Sequence, residues 1–209
     1  MSRRRRTGLT VLGVLAAAFL IWLDHGVLAR KSRVPPESAE QARSYDLEKY
    51  HARTFTVVNV VDGDTIDINV ADGKYDRTRV RLWGIDTPET KTDGGGPMYF
   101  GAEAAEFTRR LSFGKPVTVY LDKTRTRDKY NRLLAYVQLP DGGFLNEILV
   151  SEGFAYADLR FKHDFYNKYK QLEAVARTNK KGLWRNVTPE QMPKWLQEEK
   201  SKIKMQNDT

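Results

Sequence analysis

The 209 residues are 40% apolar and contain no cysteine, which allows one sizeable core and excludes disulfides, thiolate zinc sites and a cysteine nucleophile. Of the formal charge of +8 at pH 7, +3 comes from Arg3, Arg4, Arg5 and Arg6 taken with Asp24, so the chain from residue 30 onward carries only +5, a surplus that suits a polyanion without specifying one. The three histidines, His25, His51 and His163, stand far apart with no spaced pair, which argues against zinc ligation and histidine acid–base chemistry.

The four arginines abut Gly8 to Leu23, sixteen residues with no charge and a single hydroxyl, Thr10. This reads as a targeting segment, its length lying between the apolar region of a signal peptide and the ~20 residues of a bilayer-spanning helix. Val27-Leu28-Ala29 suits cleavage after Ala29, whereas Phe19, Leu20, Ile21 and Trp22 make the bulky end of an uncleaved anchor. Residues 1–29 are therefore expected to be a signal peptide or a signal anchor, an apolar helix engaging the membrane through residues 7–23. Either way the arginines stay in the cytoplasm and the remainder crosses. The expected location is membrane-anchored with the domain outside the cytoplasm, or secreted; in a eukaryote an organellar, mitochondrial membrane is the variant. Residues 30–53, polar and charged with Pro35-Pro36, read as a linker with a short helix around Glu37 to Tyr50.

Folding is expected to begin at Thr54. The β-branched run Thr54 to Val61 leads through Asp62-Gly63 into Thr65 to Val70, which alternates apolar and polar, and this reads as a hairpin. After Asp72-Gly73, Arg77, Arg79 and Arg81 alternate with Thr78, Val80 and Leu82, placing the arginines on one face of a third strand. Lys91 to Pro97, with Gly94-Gly95-Gly96, is a loop, and Ala104, Phe107, Thr108 and Leu111 then recur at helical spacing. Val117 to Leu121 and Leu133 to Leu139 give the fourth and fifth strands. Leu145, Ile148 and Leu149 stripe a short helix ended by Gly153, and Phe165, Tyr169, Leu172 and Ala176 stripe a longer one ended near Gly182. Residues 187–209 form a charged tail carrying Trp195, Leu196 and Ile203. The order of elements predicts an α+β chain with a mainly β core: an OB-fold five-stranded barrel with three helices, preceded by the N-terminal apolar helix.

Three segments carry the chemistry: Asp62-Gly-Asp64-Thr65, Arg81-Leu-Trp-Gly-Ile-Asp86-Thr87-Pro-Glu89 and Asp128-Lys129-Tyr130-Asn-Arg132. Each taken alone is also ordinary turn or surface chemistry. Together they supply carboxylates suited to a hard cation and two guanidiniums able to bond two phosphate oxygens each, an inventory for metal-assisted phosphodiester cleavage. An EF-hand is excluded because the sixth position from Asp62 is Asp67 where glycine is required.

From about Thr54 to Trp184 the chain resembles the thermonuclease family typified by staphylococcal nuclease. The likeness rests on Val61-Asp-Gly-Asp64-Thr, Arg81-Leu-x-Gly-Ile-Asp86-Thr-Pro-Glu89-Thr-Lys91, Phe100-Gly-x-Glu-Ala, Asp128-Lys-Tyr-x-Arg132-x-Leu-Ala-Tyr136 and Asn146-Glu-x-Leu-Val-x-x-Gly153. The resemblance implies a Ca²⁺-dependent nuclease domain over residues 54–186. Asp64 and Asp86 would bind Ca²⁺ through side chains and Thr87 through its carbonyl. Glu89 would position or deprotonate the attacking water, Arg81 and Arg132 would stabilise the transition state, and Lys129 and Tyr130 would contact the substrate's phosphate and sugar. It also implies cleavage of DNA and RNA, single-stranded or unpaired, at the bond to the 5′ oxygen, by a monomer. Leu159 and Phe161 fall where the staphylococcal enzyme has a nucleotide-contacting tyrosine pair, and the loop after Glu89 is glycine-rich where that enzyme's is lysine-rich. The competing expectation is a non-catalytic nucleic-acid- or protein-binding OB module tethered to a membrane; retention of Arg81, Glu89 and Arg132 favours the enzyme.

Overall fold

The computed structural model describes residues 38–92 and 96–198, so the expected N-terminal targeting segment lies outside the described residues. The described residues from Arg43 onward form one compact unit; of the unit that ends at Ala42, the described part is the start of a helix. Among the described residues no helix is long and apolar enough to cross a membrane.

The elements after the first helix, α1 (Ala39–Tyr50), are β1 (Arg53–Asp62), β2 (Thr65–Ile68), β3 (Thr78–Leu82), β4 (Ile85–Asp86), α2 (Gly101–Ser112), β5 (Pro116–Leu121), β6 (Leu133–Gln138), α3 (Leu145–Ser151), β7 (Tyr156–Ala157) and α4 (Tyr166–Thr178). Five strands close a barrel in the order β1-β2-β3-β6-β5, as expected of the fold class. Closure depends on β1, which pairs through Arg53 to Thr56 with β5 and through Val57 to Asp62 with β2. Two register irregularities, between Val57 and Asn59 and between Val60 and Asp62, bend it so that one strand serves both edges. Ladder pairs are antiparallel except β3 with β6, which run parallel.

Alternating side chains fill the interior: Val57 and Val60 from β1, Ile66 and Ile68 from β2, Val80 and Leu82 from β3, Val117 and Val119 from β5. In β6 every residue from Leu133 to Val137 is buried, because α3 packs on the strand's other side. Asn146 of α3 is fully buried there, accepting from the Val137 amide at 3.0 Å and donating to the carbonyls of Trp83 and Ala135 at 3.0 and 3.2 Å. That one amide satisfies backbone groups at the end of β3 and along β6, as a buried polar group must.

Two regions outside the barrel are tied to it. Within the segment expected as a linker, Asp46 and Tyr50 of α1 are buried, and Arg127 clamps Asp46 (Nη2 to Oδ1, 2.7 Å) and Asp72 (Nη1 to Oδ2, 2.6 Å). Past α4, Met192 and Leu196 are buried with Tyr156 and Leu183 in a second apolar cluster, against which Tyr99, Phe100, Trp184, Val187 and Trp195 pack. The pairing of β4 with β7, Ile85 opposite Ala157 and Asp86 opposite Tyr156, has no counterpart in the sequence pattern, because two residues are too few for alternation to register.

Candidate active site

The site lies where the β1–β2 turn meets the segment after β4. Gly63 makes the approach possible: a Cβ there would sit 2.8 Å from Thr87 Oγ1 and 2.9 Å from Ala104 Cβ, and the Gly63 carbonyl accepts from buried Thr108 of α2 at 2.6 Å. The Asp62-Gly63 pair is thus more than a solvent-exposed hairpin turn. Asp64 is buried, 4% exposed. Its Oδ2 accepts from the Thr87 amide at 2.8 Å and the Thr87 hydroxyl at 3.1 Å, and its Oδ1 from Thr65 Oγ1 at 3.0 Å.

Of the three arginines expected on the third strand, Arg77 lies just before β3; it and Arg79 are open to solvent and share Asp67, whereas Arg81 turns inward. Its Nη1 stands 2.6 Å from Asp64 Oδ2 and its Nη2 2.7 Å from Asp86 Oδ1. Asp86 is fixed from its other side too, accepting at Oδ2 from Trp195 Nε1 at 2.8 Å, with Arg160 Nη2 at 3.7 Å.

Arg132 reaches the cluster from the β5–β6 connection. That loop wraps around the Asp128 carboxylate, which accepts from the amides of Tyr130 and Arg132, each at 2.9 Å, and from Arg132 Nε at 2.7 Å. Asn131 takes the left-handed conformation, φ 65°, that the tight return requires. Arg132 Nη1 is thereby aimed at Thr65 Oγ1, 3.4 Å away, on the residue adjoining Asp64. Tyr130 stands out of the surface, 68% exposed, with Lys129 Nζ 4.9 Å and the Arg132 guanidinium 5.5 Å from its ring. Tyr130 and Arg132 also line a groove of about 760 Å³ shared with Tyr75, Arg77 and Arg79.

The electrostatics are those of crowded carboxylates. Burial, reinforced by Asp64 and Glu89, pushes the Asp62 carboxyl up to about 7. Glu89 is raised by partial burial at the rim and by Asp64 and Asp86, with Arg81 and Arg132 pulling the other way. Glu89 therefore shares one local field with the two aspartates and both arginines. Among the described residues no three acidic or histidine side chains form a metal cage by themselves. What converges is smaller: the carboxylates of Asp64 and Asp86 beside Thr87, with Glu89 and, above its raised pKa, Asp62 adding negative potential.

The structure thus brings together Asp64, Arg81, Asp86, Thr87, Glu89 and Arg132, with Lys129 and Tyr130 on the adjoining loop. Asp62 was readable only as a turn, and Trp195 and Arg160 are delivered by segments with no local signal. Phe161 is 39% exposed, with Trp83 (5.6 Å between rings) and the Arg125 guanidinium (5.4 Å) against it.

Comparison with known proteins decides the family. The family described as "Staphylococcal nuclease homologue" matches residues 79–186, more than half of the chain. The chain belongs to that family. The thermonuclease of Staphylococcus hyicus is 36% identical over 145 residues, 69% of this chain and 83% of that protein. An uncharacterised endonuclease of Escherichia coli is 36% identical over 140 residues, 67% of this chain and 81% of its own length. The SPbeta prophage-derived endonuclease YokF of Bacillus subtilis is 34% identical over 131 residues, only 43% of that relative. The family span begins at Arg79, so it contains Arg81, Asp86, Thr87, Glu89 and Arg132 and leaves the β1–β2 turn with Asp62 and Asp64 before it.

Proposed function

We propose that the chain is a Ca²⁺-dependent nuclease hydrolysing phosphodiester bonds of DNA and RNA, endonucleolytically and with 3′-phosphate products, on single-stranded or unpaired substrate. The observation that carries this is Arg81 held between Asp64 and Asp86, with Arg132 aimed at Thr65, the residue adjoining Asp64. Family membership supports it.

The donor set fits a hard dication. Calcium accepts carboxylate and backbone oxygens and tolerates waters in the rest of its shell, so Asp64 and Asp86 with the Thr87 carbonyl suffice as protein ligands. Burial is the larger cause that raises Asp62 and Glu89, and the neighbouring carboxylates add repulsion that a bound cation would offset. When bound, Ca²⁺ supplies charge stabilisation at a phosphoryl oxygen and a template for substrate.

The remaining work belongs to the chain's own groups. Glu89, open to solvent and raised by its neighbours, accepts a proton from the attacking water as the P–O bond forms. The bond to the 5′ oxygen breaks, the negative charge gathering on the phosphoryl oxygens and the leaving oxygen is met by Arg81 and Arg132, whose planar guanidiniums stay protonated, and the departing 5′ oxygen takes its proton from solvent water, to which Glu89 in turn releases the one it accepted. Lys129 and Tyr130 hold the adjacent phosphate and sugar. The enzyme acts as a monomer. Residues 7–23 tether it to a membrane, with the catalytic domain outside the cytoplasm, or direct its secretion.

The test is cleavage of single- and double-stranded DNA and RNA with Ca²⁺ and with EDTA. Ca²⁺-dependent products with 3′-phosphate ends support the reading; no cleavage of any of the four substrates sinks it.

A further inference from the structure

Trp195 lies nine residues beyond the end of the family match, in a tail that the reaction outlined above does not use. Its indole nevertheless meets the carboxylate at the centre of the site. Nε1 donates to Asp86 Oδ2 at 2.8 Å while Arg81 Nη2 holds Oδ1 at 2.7 Å. Both oxygens of Asp86 are therefore held, which fixes the plane of the carboxylate as well as its position. We infer that Trp195 is a positioning residue for Asp86, and that the C-terminal segment is part of the catalytic domain because it delivers the indole N–H that sets Ca²⁺ affinity at the site.

Three features separate this from a chance surface contact. The indole is held from a second side: the Arg160 guanidinium lies 4.6 Å over its ring, and Arg160 is itself locked to Asp158 by two bonds of 2.8 Å. Asp158 in turn donates its amide to the Gly84 carbonyl at 2.9 Å, two residues before Asp86. The segment is also anchored. Met192 and Leu196 are 7% and 8% exposed against Tyr156 and Leu183, and Tyr156 is the residue paired with Asp86 across β4 and β7. The tail thus docks on the strand pair that carries Asp86. Finally, the donor is of the right kind: an indole has one N–H and no acceptor, so it orients a carboxylate without competing for a cation. Hydrogen-bond partners of ligating carboxylates fix ligand orientation, and their loss weakens metal binding by roughly 10- to 100-fold.

The inference rests on the proposed Ca²⁺ role of Asp86, and its test separates the two. Trp195→Phe in the full chain keeps an aromatic ring beneath Arg160 and removes only the N–H. Calorimetric titration with Ca²⁺ in the absence of substrate should show affinity about 10-fold weaker or more than wild type, with the unfolding midpoint of the metal-free protein little changed. In wild type, the indole N–H resonance that disappears in Trp195→Phe should move as Ca²⁺ is added. Affinity within twofold of wild type, or an indole resonance indifferent to Ca²⁺, overturns the positioning role while leaving the nuclease reading in place. A wild-type protein that binds no Ca²⁺ overturns both.

Discussion

Arg81 bridges Asp64 and Asp86, 2.6 Å from an oxygen of the first and 2.7 Å from one of the second. One planar cation thus ties the β1–β2 turn to the end of β4, two segments that come together only when the barrel closes. Lysine at this position keeps the charge but cannot present two parallel N–H donors. Arg81→Lys is expected to lower turnover about a hundredfold or more, the effect of losing one transition-state contact of roughly 3 kcal/mol in a sheltered site. Turnover within a few-fold of wild type would make the bridge purely structural.

The same bridge changes what removing a ligand does. Read as turn residues, the aspartates are expected to be replaceable without harm to the barrel, but Asp64 is buried and takes bonds from Arg81, Thr87 and Thr65. Asp64→Ala should therefore raise the Ca²⁺ requirement and also cost about 1–3 kcal/mol of stability, since buried donors lose their acceptor. Denaturant unfolding checks the second part. An unchanged midpoint would mean that water replaces the carboxylate at no cost.

Glu89 tests the enzyme against the binding module. Glu89→Gln preserves size and hydrogen bonding and removes the proton acceptor, so the rate should fall about a hundredfold or more while binding of a non-hydrolysable oligonucleotide stays within a few-fold. Equal losses in rate and binding would point to a substrate contact in place of a base.

Tyr75 and Tyr130 line one groove beside Arg132 and are 60% and 68% exposed. Exposed rings of this kind serve as platforms for unstacked bases, at about 1–3 kcal/mol per base. Tyr75→Ala and Tyr130→Ala should each raise KM for an oligonucleotide about 5- to 100-fold at nearly constant kcat. Tyr75→Ala should spare a dinucleotide too short to reach the β2–β3 hairpin. A Tyr75→Ala effect independent of substrate length would rule out an extended strand path along the groove.

The sequence was informative where its periods are local. The existence and order of β1, β2, β3 and α2 follow from the β-branched run before Asp62, the alternations after Thr65 and up to Leu82, and the helical spacing of Ala104, Phe107, Thr108 and Leu111, but not their ends: the alternation runs through Val70 while β2 stops at Ile68, and Arg77 lies just before β3. Motif order carried Asp64, Arg81, Asp86, Glu89 and Arg132. What could not be read is contact across long separations: the inward turn of Arg81 against the outward Arg77 and Arg79 on the same face, the clamp of Arg127 on Asp46 in a segment of linker composition, and the reach of Trp195 to Asp86 across 109 positions. No local pattern encodes these, because each depends on where the barrel places a distant backbone. Phe161 is an intermediate case. Its position marked a departure from the family's tyrosine pair, but its contacts with Trp83 and Arg125 emerge only in three dimensions.

His163 gives a pH dependence separate from the carboxylate cluster. The Phe165 amide donates to its Nδ1 at 3.3 Å, where the Tyr136 hydroxyl also stands at 3.3 Å, so that nitrogen is the unprotonated one, and Nε2 is buried with no hydrogen-bond partner among the described residues. Burial lowers its pKa below the ordinary histidine value, although Asp158, Asp122 and Asp164 pull upward. The unfolded chain then takes up the proton more readily than the folded one. The stability linked to His163 is therefore present above the unfolded value of about 6.5 and is lost as pH falls from there through the lower folded value. His163→Gln removes the titration and retains a polar side chain. In denaturant unfolding between pH 8 and 5, wild type should lose stability more steeply than the variant, with the difference opening below about pH 6.5. Gly84 shows how closely the ring is packed, since a Cβ there would fall 2.4 Å from the imidazole. Parallel pH profiles for wild type and His163→Gln would show that the ring finds a proton acceptor without unfolding, and would remove it as a source of acid instability.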